Sequence, residues 1–236
     1  MTLAGTDPAV WETLATDFSP RIGPSHTHVG FQAAMNAVRN DIDAAVALSR
    51  ATGKPLFIAG HSLGGALAGL AALRAAEAGQ APRAVYVFGM PRAGDKDFRD
   101  AYNARLGDVT YRLAHGRDIV SRVPPSWVDY CHVGRAALCA TDAKFTDGSI
   151  SAGLSDAPDI PRNIAGGLIK SITGGGFFQF AGDALTGRLR SPADVFSGLS
   201  KVLQPAGHGR LGPAFKLLPP EIREHLQDEY LDALKP

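Results

Sequence analysis

The first 115 residues alternate between short apolar runs and longer amphipathic stretches. Apolar runs of strand length lie at 1–6, 55–59, 84–89 and 109–114. The stretches between them carry apolar residues at three- and four-residue spacing or are rich in Ala and Leu, which predicts helices at 31–50, 63–78 and 95–106. This alternation predicts an α/β fold with a mostly parallel central sheet flanked by helices.

The pattern changes after about residue 135. The rest of the chain is rich in Gly, Ser, Pro and Asp up to residue 220, with short apolar pieces inside it. We interpret 1–236 as a single α/β domain with a Gly/Pro-rich insertion at about 135–220, made of loops and two or three short helices. A disordered insertion is the alternative, although its aromatic and aliphatic residues argue against disorder. A final apolar stripe predicts a terminal helix at 220–234.

One pentapeptide carries the clearest chemical signal. Gly60-His61-Ser62-Leu63-Gly64 follows a predicted strand and opens a predicted helix, which is the setting of a nucleophile elbow. The sharp turn between strand and helix exposes the serine hydroxyl at the end of the sheet, and glycines relieve the crowding around it. The same five-residue pattern also occurs by chance in a chain with 27 glycines. The flanking elements favour Ser62 as a nucleophile.

Composition narrows the class of protein. A net charge of +1 gives no reason to expect nucleic acid as a partner. No Cys/His cluster has metal-ligand spacing and no phosphate-binding loop is present, so we expect no cofactor. Cys131 and Cys139 are interpreted as free thiols. Residues 1–7 show no basic segment followed by an apolar stretch, and the expectation is therefore a cytoplasmic location, with secretion left open.

Several short motifs resemble those of class 3 lipases, the α/β-hydrolase family that includes the fungal triacylglycerol lipases. The matching pieces are Gly5-Thr6 with Trp11 and Asp17, His28-Val29-Gly30-Phe31, the elbow at 60–65, Phe88-Gly89-Met90-Pro91 and Asp118-Ile119-Val120. They cover about residues 1–134, and the resemblance implies an α/β-hydrolase fold. Ala4 stands where the family usually has Arg, and the sheet is expected to lack N-terminal edge elements relative to the family.

A serine nucleophile needs a histidine base and a carboxylate that orients it. Asp118 follows the predicted strand at 109–114 on the same edge of the sheet as Ser62, and Asp129 is the alternative. Among the seven histidines, His225 resembles the late family segment in which an acidic residue, the catalytic histidine and a Tyr occur together. His132 and, less favoured, His208 remain alternatives for the base.

Two further features bear on an acyl site. The backbone N–H of Leu63, directly after the nucleophile, is expected to form one half of an oxyanion hole. The resemblance implies Thr6 for the other half. Residues 7–28 contain an apolar stripe that includes Trp11 and Leu14. This stripe predicts a lid over an apolar acyl-binding site. Simple packing of these residues on the core is the alternative.

These observations together predict a serine carboxylic-ester hydrolase, namely a triacylglycerol lipase that works through an acyl-enzyme. A phospholipase A1 or a short-chain carboxylesterase is the alternative among enzymes. A non-catalytic lipid-binding module is the alternative of another class. The expected partner is a lipid or small ester substrate, with transient contact to a lipid interface. The sequence defines neither the acyl-chain length nor the oligomeric state.

Overall fold

The computed structural model describes residues 1–3, 21–118, 120–141, 143–146, 150–154, 224–225 and 227–235. Its strands are β1 (Thr2–Leu3), β2 (Phe57–His61), β3 (Ala84–Phe88), β4 (Thr110–His115), β5 (Arg135–Cys139) and β6 (Ile150–Leu154). Its α-helices are α1 (Val29–Ala37), α2 (Arg39–Thr52), α3 (Leu63–Glu77), α4 (Lys96–Leu106) and α5 (Gln227–Leu234).

The six strands form one sheet in the order β1-β2-β3-β4-β5-β6. The first five strands are parallel, and β6 pairs antiparallel with β5. Because β2, β3 and β4 run in the same direction, the loops that follow His61, Phe88 and His115 all leave from one edge of the sheet. The prediction of an α/β fold with a mostly parallel sheet is confirmed, and it already places the predicted nucleophile and acid at the same edge.

The main core lies between the sheet and the helices α1 to α4. Helix α3 is buried along most of its length because it consists largely of Ala, Gly and Leu, and these small residues let it lie close to β2 and β3. Phe31, Ile42, Ile58 and Val87 are among the side chains that fill this layer. A smaller cluster on the other face of the sheet joins Leu113 and Ala137 to Tyr230 of α5. Helix α5 therefore brings the C-terminal segment onto the sheet.

The predicted helix at 31–50 is wrong in one respect, because the structure has two helices there. Val38 leaves the helical conformation, with φ −106° and ψ 10°, and its N–H reaches back only to the carbonyl of Asn36. Val38 is β-branched, a side-chain type that crowds the preceding helical turn. The break still leaves Phe31 and Met35 of α1 and Ile42 and Val46 of α2 buried.

The predicted start of the Gly/Pro-rich insertion is also wrong. Residues 135–139 and 150–154 are strands β5 and β6, so the sheet extends into this region. Ala136 and Ala137 are buried, because β5 continues the parallel pairing from β4 and needs only a short apolar run to do so. The remainder of the predicted insertion, 155–220, lies outside the described residues.

The terminal helix is shorter than predicted. Helix α5 begins at Gln227, whereas Glu224 and His225 form a turn before it. Residues 220–223 lie outside the described part of the chain. His225 is therefore presented by a turn and not by a helix.

Two further findings concern the chain as described. Within the described ranges, no helix is both long enough and apolar enough to cross a membrane. Cys131 and Cys139 are both free thiols.

Candidate active site

Ser62 occupies a strained turn between β2 and α3. Its φ of 59° and ψ of −128° lie outside the regions that ordinary residues prefer, and its N–H donates to the carbonyl of Phe88 at 2.8 Å. At Gly60 a Cβ atom would lie 2.8 Å from the backbone nitrogen of Gly65 and closer still to the Gly64 carbonyl. The glycines of the pentapeptide therefore permit a turn that directs the Ser62 hydroxyl away from the sheet edge.

Three side chains that are distant in sequence meet at this edge. The Oγ atom of Ser62 lies 2.8 Å from Nε2 of His225. The other ring nitrogen of His225, Nδ1, lies 2.9 and 3.0 Å from the two carboxylate oxygens of Asp118. With Nδ1 protonated and donating to Asp118, the lone pair of Nε2 is free to accept the proton of Ser62.

The carboxylate of Asp118 is fully enclosed and has several hydrogen-bond donors. Val120 N–H donates to Oδ1 at 2.8 Å, and the hydroxyl of Tyr230 donates to Oδ2 at 2.5 Å. Burial by itself raises the pKa of Asp118, but the facing His225 and the hydrogen bonds from His225, Tyr230 and Val120 outweigh it and hold the pKa below its usual value. Asp118 is therefore an anion that can stabilise a positive charge on His225.

Tyr230 is itself buried, and its hydroxyl also accepts a hydrogen bond from the His115 N–H at 3.1 Å. Burial and the neighbouring negative charge of Asp118 raise its pKa well above the usual value. The phenol therefore stays protonated and keeps donating to the acid.

Gly89 provides the space in which the acid and the base meet. It follows β3 with a left-handed φ of 56°, and a Cβ atom there would lie 2.7 Å from Oδ2 of Asp118 and 2.9 Å from Cε1 of His225. Both the backbone conformation and the close approach require glycine.

His61, the residue before Ser62, contacts His225. Its Nε2 donates to the backbone carbonyl of His225 at 2.7 Å, and the two rings stack with centroids 4.8 Å apart. Burial, reinforced by the neighbouring His225, lowers the pKa of His61 to about 4. His61 is therefore neutral at neutral pH and places no charge beside the base.

The alternatives raised by the sequence lie elsewhere. His132 is buried, with Nε2 bonded to the Ser121 carbonyl at 2.7 Å, and burial, followed by the charges of Arg112 and Arg92, lowers its pKa well below the usual value. Asp129 is exposed at the end of a short helical turn, Ser126–Val128. His208 lies outside the described residues.

The structure describes only part of the predicted oxyanion hole and, of the predicted lid at 7–28, only residues 21–28, in which Thr27 and His28 are buried. Leu63 is the first residue of α3, so its N–H is one of the amides at the N-terminus of a 15-residue helix. This end of a helix favours negative charge. Thr6, Trp11 and Leu14 lie outside the described residues.

Glu224 and Tyr230 are the acidic residue and the tyrosine of the family-like segment around His225, and the sequence predicted no role for either of them. Tyr230 touches Asp118, and Glu224 is buried against the loop that carries Asp118. The only signal in the sequence was an acidic residue directly before a candidate base, and its partners are more than 80 residues away in sequence.

Two further observations concern metal binding and a groove that lies away from Ser62. Among the described residues, no group of three or more His, Cys, Asp or Glu side chains could hold a metal ion. A groove of about 400 Å³ lies between α1, α3 and α4, and its lining includes His26, Arg39 and Arg74 but no side chain of the Ser62 cluster. It plays no part in the chemistry considered for Ser62.

Comparison with known proteins gives a consistent family. Residues 10–127 match the family described as lipase (class 3). Over 108 residues the chain is 39% identical to a secreted mono- and diacylglycerol lipase of Fusarium solani, covering 44% of this chain and 32% of that protein. Over 150 residues it is 30% identical to a lipase of Rhizomucor miehei, covering 56% of this chain and 41% of that protein. The chain thus spans less than half the length of these relatives.

Solved structures of fungal lipases are also similar in part. A mono- and diacylglycerol lipase from Aspergillus oryzae matches with a TM-score of 0.49 and 23% identity, over 56% of this chain and 49% of that one. A lipase from Rhizopus microsporus var. chinensis matches with a TM-score of 0.44 and 30% identity, over 48% of this chain and 41% of that one.

Proposed function

The chain belongs to the class 3 lipase family, and on that premise we propose that it hydrolyses carboxylic esters through an acyl-enzyme on Ser62. The observation that carries this proposal is the unbroken series of hydrogen bonds from Ser62 through His225 to Asp118. Nucleophile, base and orienting acid follow one another within hydrogen-bond distance, which is the arrangement that acyl transfer by serine requires.

The acylation step uses each member of this series once. Ser62 Oγ attacks the ester carbonyl carbon while Nε2 of His225 takes the hydroxyl proton. The imidazolium that forms is stabilised by the Asp118 carboxylate, which itself stays ionised. The C–O bond of the tetrahedral intermediate then breaks, and His225 gives the proton to the leaving alcohol.

Deacylation repeats the sequence with water as the nucleophile. His225 takes a proton from water, the resulting hydroxide attacks the acyl carbonyl, and the proton returns to Ser62 Oγ as the carboxylic acid leaves. The N–H of Leu63 would donate to the negative oxygen in both steps. Loss of one such donor costs about 3 to 4 kcal/mol of transition-state stabilisation in comparable enzymes. Thr6 is proposed as the second donor on the strength of the family resemblance.

Acylglycerols are the proposed substrate class. The support is the naming of relatives as lipases of mono- and diacylglycerols and the family-like motifs around the elbow. A phospholipase A1 and a short-chain carboxylesterase use the same three side chains, so the choice depends on the acyl and head-group sites. Contact with a lipid interface through Trp11 and Leu14 stays a sequence-based prediction. The expected cytoplasmic location finds no support, because two relatives are named as secreted.

The test combines a covalent probe with a substrate series. A fluorophosphonate should label the protein at Ser62, and the Ser62→Ala variant should not be labelled. p-Nitrophenyl esters from acetate to palmitate, followed with and without emulsion, should be hydrolysed with a rate that rises with chain length and with emulsified substrate. A preference for acetate that emulsion does not change would indicate a short-chain esterase. Absence of labelling and of turnover would contradict the proposal and favour a lipid-binding module.

A further inference from the structure

His225, the base of the proposed reaction, lies in neither a helix nor a strand. His225 sits in a turn, and α5 begins only at Gln227. A general base must be held within a few tenths of an ångström of its working position, because catalysis by proximity depends steeply on geometry. The contacts with Asp118 and His61 hold the ring and the carbonyl of His225, and the position of the turn depends as well on how the residue before His225 is held.

Glu224, directly before His225, is the second side chain of this turn that is held by distant residues. It is only 1% exposed. Its Oε1 accepts a hydrogen bond from Oγ1 of Thr141 at 2.9 Å, and its Oε2 accepts from the backbone N–H of Arg117. A buried carboxylate without donors is strongly destabilising, so this side chain is fixed where both of its donors are.

One of the two donors, the Arg117 N–H, connects the turn to the loop that contains Asp118. Arg117 is the residue before Asp118, just as Glu224 is the residue before His225. The Glu224–Arg117 hydrogen bond and the His225–Asp118 hydrogen bond therefore lie side by side and join the same two loops. Two adjacent contacts restrict rotation between the loops, which a single contact does not.

Gly116 leaves room for the Glu224 carboxylate. It has a left-handed φ of 51°, and a Cβ atom there would lie 2.7 Å from Cδ of Glu224 and 2.9 Å from Oγ1 of Thr141. The loop that contains Asp118, called the acid loop, therefore leaves space for the carboxylate of Glu224.

We propose that Glu224 is a positioning residue that holds His225 in reach of Ser62 through the loop of Asp118. This inference rests on the proposed function. Among the described residues, the hydrogen bonds of Glu224 go to Thr141 and Arg117 and not to Ser62 or the ring of His225, so its effect passes through the position of the turn. Its loss should lower the fraction of molecules in which Nε2 can accept the Ser62 proton, and it should leave substrate binding unchanged.

The test measures the rate and the end point of fluorophosphonate labelling together with kcat and KM on p-nitrophenyl butyrate. In Glu224→Ala we expect kcat and the labelling rate to fall about 10- to 100-fold, as misplacement of a catalytic group typically does, with KM unchanged within about twofold. Labelling should still reach the wild-type end point, because every molecule keeps Ser62. Glu224→Gln retains an oxygen for the Arg117 N–H and an amide for the Thr141 hydroxyl, so it should recover most of the rate.

Glu229→Ala is the matched control, since it makes the same change four residues beyond His225 without a contact to the acid loop in the structure. It should keep wild-type kcat. If Glu224→Ala fails to fold, Glu224→Asp supplies the same test, because its shorter side chain keeps the charge but cannot reach both donors.

Three outcomes are informative. A folded Glu224→Ala or Glu224→Asp variant with wild-type kcat and labelling rate would overturn the inference. An incomplete labelling end point in both variants would also overturn it, since the loss of rate would then reflect unfolded molecules and not a displaced base. Absence of labelling in the wild-type protein would instead remove the proposed function itself, and the inference with it.

Discussion

The turn at Ser62 (the nucleophile turn) and the turn at Glu224 and His225 (the base turn) lie next to each other, but different kinds of interaction hold them in place. Ser62 is fixed by its own backbone between β2 and α3, with its N–H bonded to the carbonyl of Phe88. His225 is fixed by side chains from other parts of the chain: His61 on its carbonyl, Asp118 on its ring and the partners of Glu224. One half of the site depends on main-chain geometry, and the other depends on a few hydrogen bonds between distant residues.

This difference has a consequence for mutation. A change that disturbs the nucleophile turn must also disturb the packing of α3 on the sheet, so it should reduce stability and activity together. A change in the contacts of the base turn removes one or two hydrogen bonds of a short segment. It should lower activity more than stability.

Removing the nucleophile should have the largest effect. Ser62→Ala is expected to lower kcat on a soluble p-nitrophenyl ester by about six orders of magnitude, because the three side chains act as a unit. Alanine fits the turn, so the thermal midpoint should stay near that of the wild type. Substantial residual turnover in the folded variant would show that Ser62 is not the nucleophile.

Replacing histidines should separate the base from its sequence-based alternative. His225→Ala should abolish turnover to nearly the same extent as loss of the nucleophile. His132→Ala should keep kcat within about tenfold but lower the free energy of unfolding by about 1 to 3 kcal/mol, because it leaves a buried carbonyl of Ser121 without its partner. The comparison requires kcat and urea unfolding for both variants. The reverse result would transfer the role of base to His132.

Adding a methyl group at Gly60 should disrupt the nucleophile turn, because the new Cβ atom collides with backbone atoms. Gly60→Ala places Cβ against the carbonyl of Gly64 and 2.8 Å from the Gly65 nitrogen, and neither atom can move without shifting α3. We expect loss of more than about 3 kcal/mol in unfolding free energy and loss of activity. Gly69→Ala is the matched control in α3, since its Cβ meets only the flexible end of Met90 at 3.2 Å. Equal stability of the two variants would contradict a backbone-defined turn.

Removing the hydroxyl of Tyr230 should remove one hydrogen bond from the Asp118 carboxylate without displacing the base turn. In Tyr230→Phe, Asp118 loses the donor at 2.5 Å and keeps His225 and Val120. We expect kcat to fall about tenfold, since a hydrogen bond to a charged group contributes about 1.5 to 3 kcal/mol. Because Tyr230 is one of the groups that lower the pKa of Asp118, the pKa of this carboxyl should rise in the variant. Tyr86→Phe, at an exposed tyrosine, should change neither quantity.

Acidification should have the smallest effect, and the quantity it changes is the free energy of unfolding. It acts on His61, which connects the nucleophile turn to the base turn. The pKa of His61 is about 4 in the folded protein and about 6.5 in an unfolded chain. The unfolded chain therefore binds more protons between these values, so His61 contributes stability above pH 6.5 that is lost progressively as the pH falls towards 4. From pH 7 to pH 5 the loss attributable to His61 should be roughly 1.5 kcal/mol.

Urea unfolding at the two pH values, in the wild type and in His61→Gln, measures this loss. Glutamine keeps an N–H for the His225 carbonyl but does not titrate, and the contribution of His132 is common to both proteins. The variant should therefore lose less stability on acidification. An identical loss in both proteins would show that His61 is not neutral in the folded state.

The sequence by itself determined the features that depend on near neighbours. Strands β2, β3 and β4 follow from short apolar runs, α3 from its content of Ala and Leu, and the turn at Ser62 from glycines at fixed offsets. All of these involve interactions within a few residues, which is the range over which local pattern controls backbone conformation. Asp118 could be predicted as well, because it follows a parallel strand that ends at the same edge of the sheet as the strand before Ser62.

The tertiary structure decided the features that depend on distant contacts. β5 is a strand because β4 offers an edge to pair with, and β6 pairs in turn with β5, whereas the residues of both also suit loops. His225 could be noticed through its resemblance to a family segment, but its bonds to Ser62 and Asp118 span more than 100 residues. The same holds for the hydrogen bonds of Tyr230 and Glu224 to the acid loop. Local pattern carries no information about which side chains a turn will meet after folding, because that depends on how helices and loops pack around the sheet edge.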